Sequence, residues 1–321
     1  VAAIWGADSA RPLHVLRGHG GAGSRTPGIF EVQVFPAGDK VVTLGQDRMA
    51  LIWEVASGQL LQRLDLNGVA RRPHRAVRVL PSGRRLATGV SEHPADGIVV
   101  WNATSGAALH HLRHSRITQC GAVMLVEVSP CGGKIVSVAE NLVFVWDATW
   151  GVLERMFGAH RHMVTGLAVA ADAERLLTSS RDGSARIVDR VRNPLLMAVR
   201  MDDTIRGVAL FPSGETFLTF SEKQAVIWHT MSRVRLRTLE SAGLYFNRAA
   251  ISPDGGTVAA CGAWRGSRRP APQAAALWNA STGELLMKMQ LPGPKSWVSR
   301  LLHRMTRQVL RPCSVAVALS C

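Results

Sequence analysis

Tyrosine is almost absent from this 321-residue chain. Tyr245 stands alone against nine tryptophans and eight phenylalanines. Proteins that hold single-stranded nucleic acid stack bases on spare aromatic rings, and this chain has few to spare. Lysine is scarce as well, with five residues against 33 arginines. No apolar run approaches the ~20 residues of a membrane-spanning helix. The opening VAAIWGADSA has neither the basic start nor the long apolar centre of a secretory signal. The five cysteines, Cys120, Cys131, Cys261, Cys313 and Cys321, make no C-x-x-C pair and no Cys/His metal spacing. Their odd number and scatter suit a reducing compartment, where they fill small strand positions. Glycine-rich phosphate loops and paired carboxylates in a catalytic setting are missing too, so the common enzyme signatures are excluded. These absences predict an intracellular protein, cytoplasmic or nuclear, with no membrane contact, metal or cofactor.

What the chain does have is a tryptophan at a near-constant interval. Trp5, Trp53, Trp101, Trp146, Trp228 and Trp278 each close a short apolar run, with gaps of 48, 48, 45, 82 and 50 residues. The long gap divides into 42 and 40 when Val188, in ARIVDR, is taken as a substituted member. A period of roughly 40–50 residues marks a repeat architecture. Each unit runs in the same order. An alternating apolar stretch meets a Pro/Gly turn such as PAGD from Pro36 or PDGG from Pro253. A second apolar run, a connector and the tryptophan run follow. A glycine turn, as at Gly58, Gly106, Gly151 and Gly283, then leads into a fourth run. Proline presets φ for a turn and glycine supplies the left-handed conformation. Four short strands joined by tight turns make a small antiparallel sheet. No stretch keeps a helical period. One such sheet cannot bury both faces, but several packed radially can.

The residues RGH (17–19), SSRDG (179–183), SPDG (252–255) and VWD (145–147) resemble the motifs of WD40 repeats, and the resemblance covers nearly the whole chain. It implies an all-β, seven-bladed WD40-type β-propeller forming a single domain over residues 1–321. The closing blade would be shared: strands within 1–17 pair with strands within 297–320, the inner partner beginning near Gln308 or near Cys313. Because the chain opens inside a repeat, it reads as a domain cut from a longer protein.

A His, Thr and Asp recur at fixed spacing and invite a catalytic interpretation. His19, Thr43, Asp47 and Trp53 form one set; His160, Thr178 and Asp182, with Val188 in the tryptophan place, form another. A nucleophile–His–Asp site needs an exposed hydroxyl and an oxyanion hole, and an active site has no need of copies in separate blades. The WD40 resemblance instead implies a structural tetrad in which Asp47 accepts from His19, His19 contacts Thr43, and Thr43 reaches the Trp53 indole. Glu140 and Glu222 stand six residues before Trp146 and Trp228, where Asp is expected.

The net charge of +15 rests on 38 basic residues against 23 acidic ones. It reflects either an acidic partner or a coding bias that enriches Arg, Ala, Gly and Pro together. The connectors on one loop face are irregular and basic, and loops on a rigid scaffold are where binding varies. The candidate partner-binding residues are Arg25, Arg71, Arg72, Arg116, Arg161, Arg181, Arg265, Arg268 and Arg269, with Trp264, in the insertion 263–273, as an aromatic anchor. The reading that follows is a non-enzymatic scaffold for other proteins that carry acidic or phosphorylated segments. The alternatives are a nucleic-acid-binding propeller and the C-terminal sensor propeller of a multidomain signalling NTPase. The D-x-R ending of ubiquitin-ligase substrate receptors is absent, since Asp147 precedes Ala-Thr and Asp189 precedes Arg-Val.

Overall fold

The computed structural model describes residues 2–6, 12–20, 28–66, 76–90, 97–114, 123–172, 174–189, 195–240, 244–264, 273–290 and 315–319. These residues form strands and turns without a helix, arranged as seven antiparallel sheets. The fold class is that of a seven-bladed WD40-type β-propeller. The chain divides into two compact units, one ending at Met156 and completed by the C-terminal strand, the other beginning at Phe157.

In the first unit, β1 (Ala2–Gly6) lies between β2 (Pro12–Leu16) and β27 (Val315–Leu319). Three four-stranded sheets follow in chain order. They are β3 (Ile29–Val34), β4 (Lys40–Gly45), β5 (Met49–Glu54) and β6 (Leu60–Asp65); then β7 (Ala76–Val79), β8 (Arg85–Val90), β9 (Gly97–Asn102) and β10 (Ala108–Arg113); then β11 (Val123–Val128), β12 (Lys134–Ala139), β13 (Leu142–Asp147) and β14 (Leu153–Gly158). The second unit holds three more. They are β15 (Val164–Val169), β16 (Arg175–Ser180), β17 (Ser184–Asp189) and β18 (Leu195–Arg200); then β19 (Gly207–Leu210), β20 (Thr216–Phe220), β21 (Gln224–His229) and β22 (Arg235–Glu240); then β23 (Leu244–Ile251), β24 (Thr257–Trp264), β25 (Gln273–Asn279) and β26 (Leu285–Gln290).

Strand β27 pairs antiparallel with β1, Ala2 opposite Leu319 and Gly6 opposite Val315, in the second-strand position of that sheet. It begins at Val315, two residues after Cys313, the later of the two starts expected from sequence. The segment 297–303, expected as a first strand, lies outside the described residues. Cys261 sits on β24, whereas Cys131 lies in the exposed turn after Pro130 and contacts the Ser129 hydroxyl.

Second and third strands are buried along most of their length, as in β4 and β12, where only the leading lysine is partly exposed. That is why they read as continuous apolar runs. Fourth strands face the protein on one side only; in β6 Leu64 is buried while Leu61, Arg63 and Asp65 are not. Within each unit, core layers lie between consecutive sheets and receive the next sheet's tryptophan. Ala2, Ile4 and Leu16 pack with Leu51 and Trp53, Leu44, Ile52 and Leu64 with Val77 and Trp101, and Ile98 and Leu112 with Phe144 and Trp146. In the second unit, Ile187 and Met197 pack with Phe217 and Trp228, and Leu218 and Ile227 with Phe246 and Trp278. Full burial of each such side chain contributes ~1.5–3 kcal/mol, so these layers dominate the stability of each unit.

Candidate functional site

The recurring polar set is centred on a hydroxyl. The fourth residue of five second strands is Thr43, Thr88, Ser137, Thr178 or Thr219, and each is fully buried. Antiparallel register places it opposite the residue two before the tryptophan position: Leu51, Val99, Phe144, Arg186 and Val226. The indole nitrogen then falls within reach. Trp53 donates to Thr43 at 2.8 Å, Trp101 to Thr88 at 2.9 Å, Trp146 to Ser137 at 2.9 Å and Trp228 to Thr219 at 2.8 Å. Indole is a donor only, so each buried ring is satisfied by this one acceptor.

The other side of the hydroxyl varies. His19 Nε2 lies 2.7 Å from Thr43 Oγ1, and its Nδ1 lies 2.9 Å from Asp47 Oδ1. A single direction satisfies every group: indole N–H to Thr43, Thr43 O–H to His19 Nε2, His19 Nδ1–H to the carboxylate. In the second set His160 Nε2 is 2.9 Å from Thr178 Oγ1 and Nδ1 is 3.2 Å from Asp182 Oδ2. Burial lowers the His160 pKa, opposed by the charge of Asp182. Burial also works against the Asp182 carboxylate, but the Ser184 hydroxyl and N–H, the Arg161 N–H and His160 hold its pKa down to about 2. The seven tetrad residues are thus brought together in two groups. Their hydroxyls have no exposure and cannot meet a substrate, so the arrangement can orient a buried ring but cannot perform acyl transfer.

Three members escaped the sequence reading. His114 bonds Ser137 through Nε2 at 2.8 Å, and its buried Nδ1 has no partner. Burial lowers the pKa of this ring, edge-on to Phe144 and Trp146, to about 4. Met201 takes the histidine place beside Thr219, its sulfur accepting from the hydroxyl at 3.1 Å, and buried Leu66 takes it in the sheet of Thr88. The detectable signal was the Ser or Thr at a constant place in KVVT, RLAT, KIVS, RLLT and TFLT. The expectation for Glu140 and Glu222 is corrected. Their connectors are a residue shorter than the one carrying Asp47: nine residues separate Ser137 from Trp146 and Thr219 from Trp228, against ten from Thr43 to Trp53. The Asp position has been deleted. Glu140 adopts φ 54°, and Glu222 pairs with Arg206 at the surface.

Val188 has its own compensation. A Cβ on Gly18 would stand 2.7 Å from Trp53 Cη2. The residue matching Gly18 is Ala159, just before His160, and there the tryptophan is Val188. Arg186 donates from Nη1 to the Ala159 carbonyl at 2.9 Å, while its Nε is buried without a partner.

Among the partner-binding candidates, Arg161 and Arg181 are described, and both are exposed. They flank the Asp182 corner: the Arg161 N–H donates to Asp182 Oδ2 at 3.2 Å and the Arg181 N–H to the Met163 carbonyl at 3.1 Å. Arg25, Arg71, Arg72, Arg116, Arg265, Arg268 and Arg269 lie outside the described residues. Trp264 is the last residue of β24, opposite Leu244. Strands β23 and β24 run to eight residues each and carry the pairing that far.

Neighbouring first strands in the first unit are tied by charge. Arg78 on β7 donates to Glu31 on β3 at 2.5 Å and to Glu127 on β11 at 2.8 Å. Burial would lower the Arg78 pKa, but Glu127 and Glu31 outweigh it and raise the value. Among the described residues no group of three or more His, Cys, Asp or Glu is placed to hold a metal ion, and no helix is long and apolar enough to cross a membrane.

The family model for the WD domain, G-beta repeat, matches residues 151–189, which run from the glycine turn before β14 to the end of β17. The protein named eukaryotic translation initiation factor 3 subunit I, from Eremothecium gossypii, is 24% identical over 288 residues, which cover 82% of this chain and 80% of that protein. The chain thus carries one matched WD40 repeat, at residues 151–189, within a fold of the WD40 type.

Proposed function

We propose that the chain is a non-catalytic interaction scaffold inside the cell, in the cytoplasm, and that its basic loop face binds an acidic or phosphorylated segment of a protein partner. The observation that carries this reading is the pair Arg161 and Arg181. Both project from a corner whose backbone is pinned to Asp182 and Met163, so two guanidinium groups are offered from a rigid mount. Arginine suits carboxylate and phosphate because its planar fork can bond both oxygens of one group. The likeness to a subunit of a translation initiation factor favours a place in a multi-subunit assembly over the end of a signalling NTPase. The test is binding of an acidic peptide and its phosphorylated form to wild type and to an Arg161→Glu/Arg181→Glu variant. Loss of at least about tenfold in the variant is expected if the pair is a hot spot. Equal binding by both proteins would remove this corner from the site.

A nucleic-acid reading shares the same charge. It predicts binding to arbitrary RNA with a steep fall in affinity as salt rises, whereas the peptide reading predicts sequence preference that survives at 0.15 M salt.

A further inference from the structure

Second strands β4, β8, β12 and β16 open on a long cation: Lys40, Arg85, Lys134 and Arg175. Strands β20 and β24 open instead on Thr216 and Thr257. Both arginines cross to the following sheet. Arg85 Nη1 donates to the Ala148 carbonyl at 3.1 Å. Arg175 Nη2 lies 3.7 Å from where a Cβ on Gly214 would stand, and Arg175 lines with Thr230 the seam between its sheet and the next. Ala148 and Thr230 each stand two residues after a tryptophan, Trp146 and Trp228. With Arg175 in place, that seam keeps a cavity of about 10 Å³, room for no more than about one water.

The next seam lacks the arginine. Between sheet β19–β22 and sheet β23–β26 lies a cavity of about 340 Å³, within the ~300–1,000 Å³ of ligand pockets. Thr216 lines it, where the other two sheets start an arginine stem. Phe211, Pro212 and Leu236 give it an apolar wall, and the following sheet contributes Asp254 and Ala280. Ala280 stands two residues after Trp278 and so matches Ala148; no described residue donates to its carbonyl. Asp254 accepts the Ser252 hydroxyl and the Gly256 N–H, which hold its pKa below the ordinary carboxylate value. It makes no ion pair among the described residues.

Arg237, on β22, also lines the cavity, but it holds a different place in the repeat. It lies opposite Ile227 as His14 lies opposite Ile4 and His110 opposite Val100. Arg237 Nε donates to the Ser281 carbonyl at 2.8 Å, three residues after Trp278, and His14 Nε2 meets the Ala56 carbonyl at 2.8 Å, three after Trp53. The sheet of Arg85 carries both the inner cation and the outer bridge, His110. The sheet of Arg237 carries the outer bridge alone. The Ser281 and Leu236 carbonyls accept from Arg237 and offset its charge.

We propose that this cavity takes the side chain of an arginine displayed by a partner protein, in the place that Arg85 and Arg175 fill from within the chain. The stem packs on Phe211, Pro212 and Leu236, as long basic side chains do on apolar surface. The guanidinium donates to the Ala280 carbonyl and to the Asp254 carboxylate. Its planar fork serves two acceptors at once and sheds water more readily than an ammonium, so arginine is preferred to lysine. The site lies among the turns joining β19 to β20, β23 to β24 and β25 to β26, at the other end of these strands from the β20–β21 connector. It does not depend on the basic loop face.

The experiment titrates labelled Gly/Ser octapeptides with a central Leu-X-Leu into the full chain, X being arginine, lysine or citrulline, and agmatine alone. Wild type, Thr216→Arg, Asp254→Asn and Arg161→Glu/Arg181→Glu are compared, with melting temperatures measured in parallel. The arginine peptide should bind, and the uncharged citrulline peptide at least about tenfold more weakly. Thr216→Arg restores the chain's own side chain to the seam; it should weaken the arginine peptide at least about tenfold and melt no lower than wild type. Asp254→Asn keeps the turn bonds and should weaken it about two- to fivefold, as for an exposed ion pair. The double arginine variant should bind as wild type. No binding of the arginine peptide, equal binding of the citrulline peptide, or equal binding by a folded Thr216→Arg would overturn the proposal. If Thr216→Arg does not fold, equal binding by Asp254→Asn overturns it. Agmatine binding as tightly as the peptide would assign the cavity to a free guanidine, and self-association abolished by Thr216→Arg would assign it to a second copy of the chain; either result removes the partner arginine.

Discussion

The Thr43 hydroxyl accepts the Trp53 indole N–H at 2.8 Å, and on its other side it meets His19 Nε2 at 2.7 Å. One buried oxygen therefore serves two rings. Thr43→Val keeps the shape and removes the oxygen, leaving a buried N–H and a buried imidazole nitrogen unpaired. A loss of ~1–3 kcal/mol is expected, read as a lower urea midpoint with unchanged slope. Thr43→Ser should keep most of the stability. An unchanged midpoint in the valine variant would remove the hydroxyl from the load on this sheet.

His114 makes the protein sensitive to mild acid. Its folded pKa of about 4 lies below the ordinary 6.5 because burial opposes its charge. The unfolded chain takes up the proton first, so the contribution of this neutral ring is complete above about pH 6.5 and is lost as pH falls toward 4, by on the order of 3 kcal/mol at most. His160 is shifted in the same direction. Asp182, held at about 2, matters only below the ordinary carboxylate value of 3.8. Urea midpoints measured between pH 7 and 4.5 should fall less steeply in His114→Leu than in wild type. Parallel curves would contradict the burial of an unpartnered Nδ1.

Val188 and Ala159 form a matched pair, as Trp53 and Gly18 do. Val188→Trp alone should cost ~1–3 kcal/mol through overpacking against Ala159 and Arg186. Adding Ala159→Gly and Arg186→Leu should recover most of that loss, since Thr178 already stands where the indole acceptor is needed. Thermal melts of the single and triple variants distinguish coupled from additive behaviour.

Arg233 occupies the place of the turn glycine after Trp228, with φ 61° where Gly58, Gly106, Gly151 and Gly283 show 68–77°. A side chain is strained in that region. Arg233→Gly should raise stability by roughly 0.5–1 kcal/mol, the strain relieved exceeding the added freedom of the unfolded chain. A lower melting temperature would show that the arginine side chain has a compensating role.

The fold was legible because each sheet repeats one apolar and turn pattern, and burial on both faces leaves that pattern little room to drift. The tryptophan interval located the third strands, and Val188 was recoverable from its flanks. The hydroxyl position was harder to see. Its distance from the tryptophan varies with connector length, nine residues for Ser137, ten for Thr43 and thirteen for Thr88, and only strand register aligns it. Counting back from the tryptophan therefore pointed to Glu140 and Glu222, where shorter connectors have removed the acid. His114 was hidden because HLRHS lacks the glycine before its histidine.

The basic loop face is the central functional claim. Its most direct test compares partners recovered by proximity labelling with wild type and with an Arg71→Glu/Arg72→Glu/Arg268→Glu/Arg269→Glu variant whose melting temperature matches wild type. The account predicts that the variant loses partners carrying acidic or phosphorylated segments. Recovery of the same partners by both proteins would contradict it.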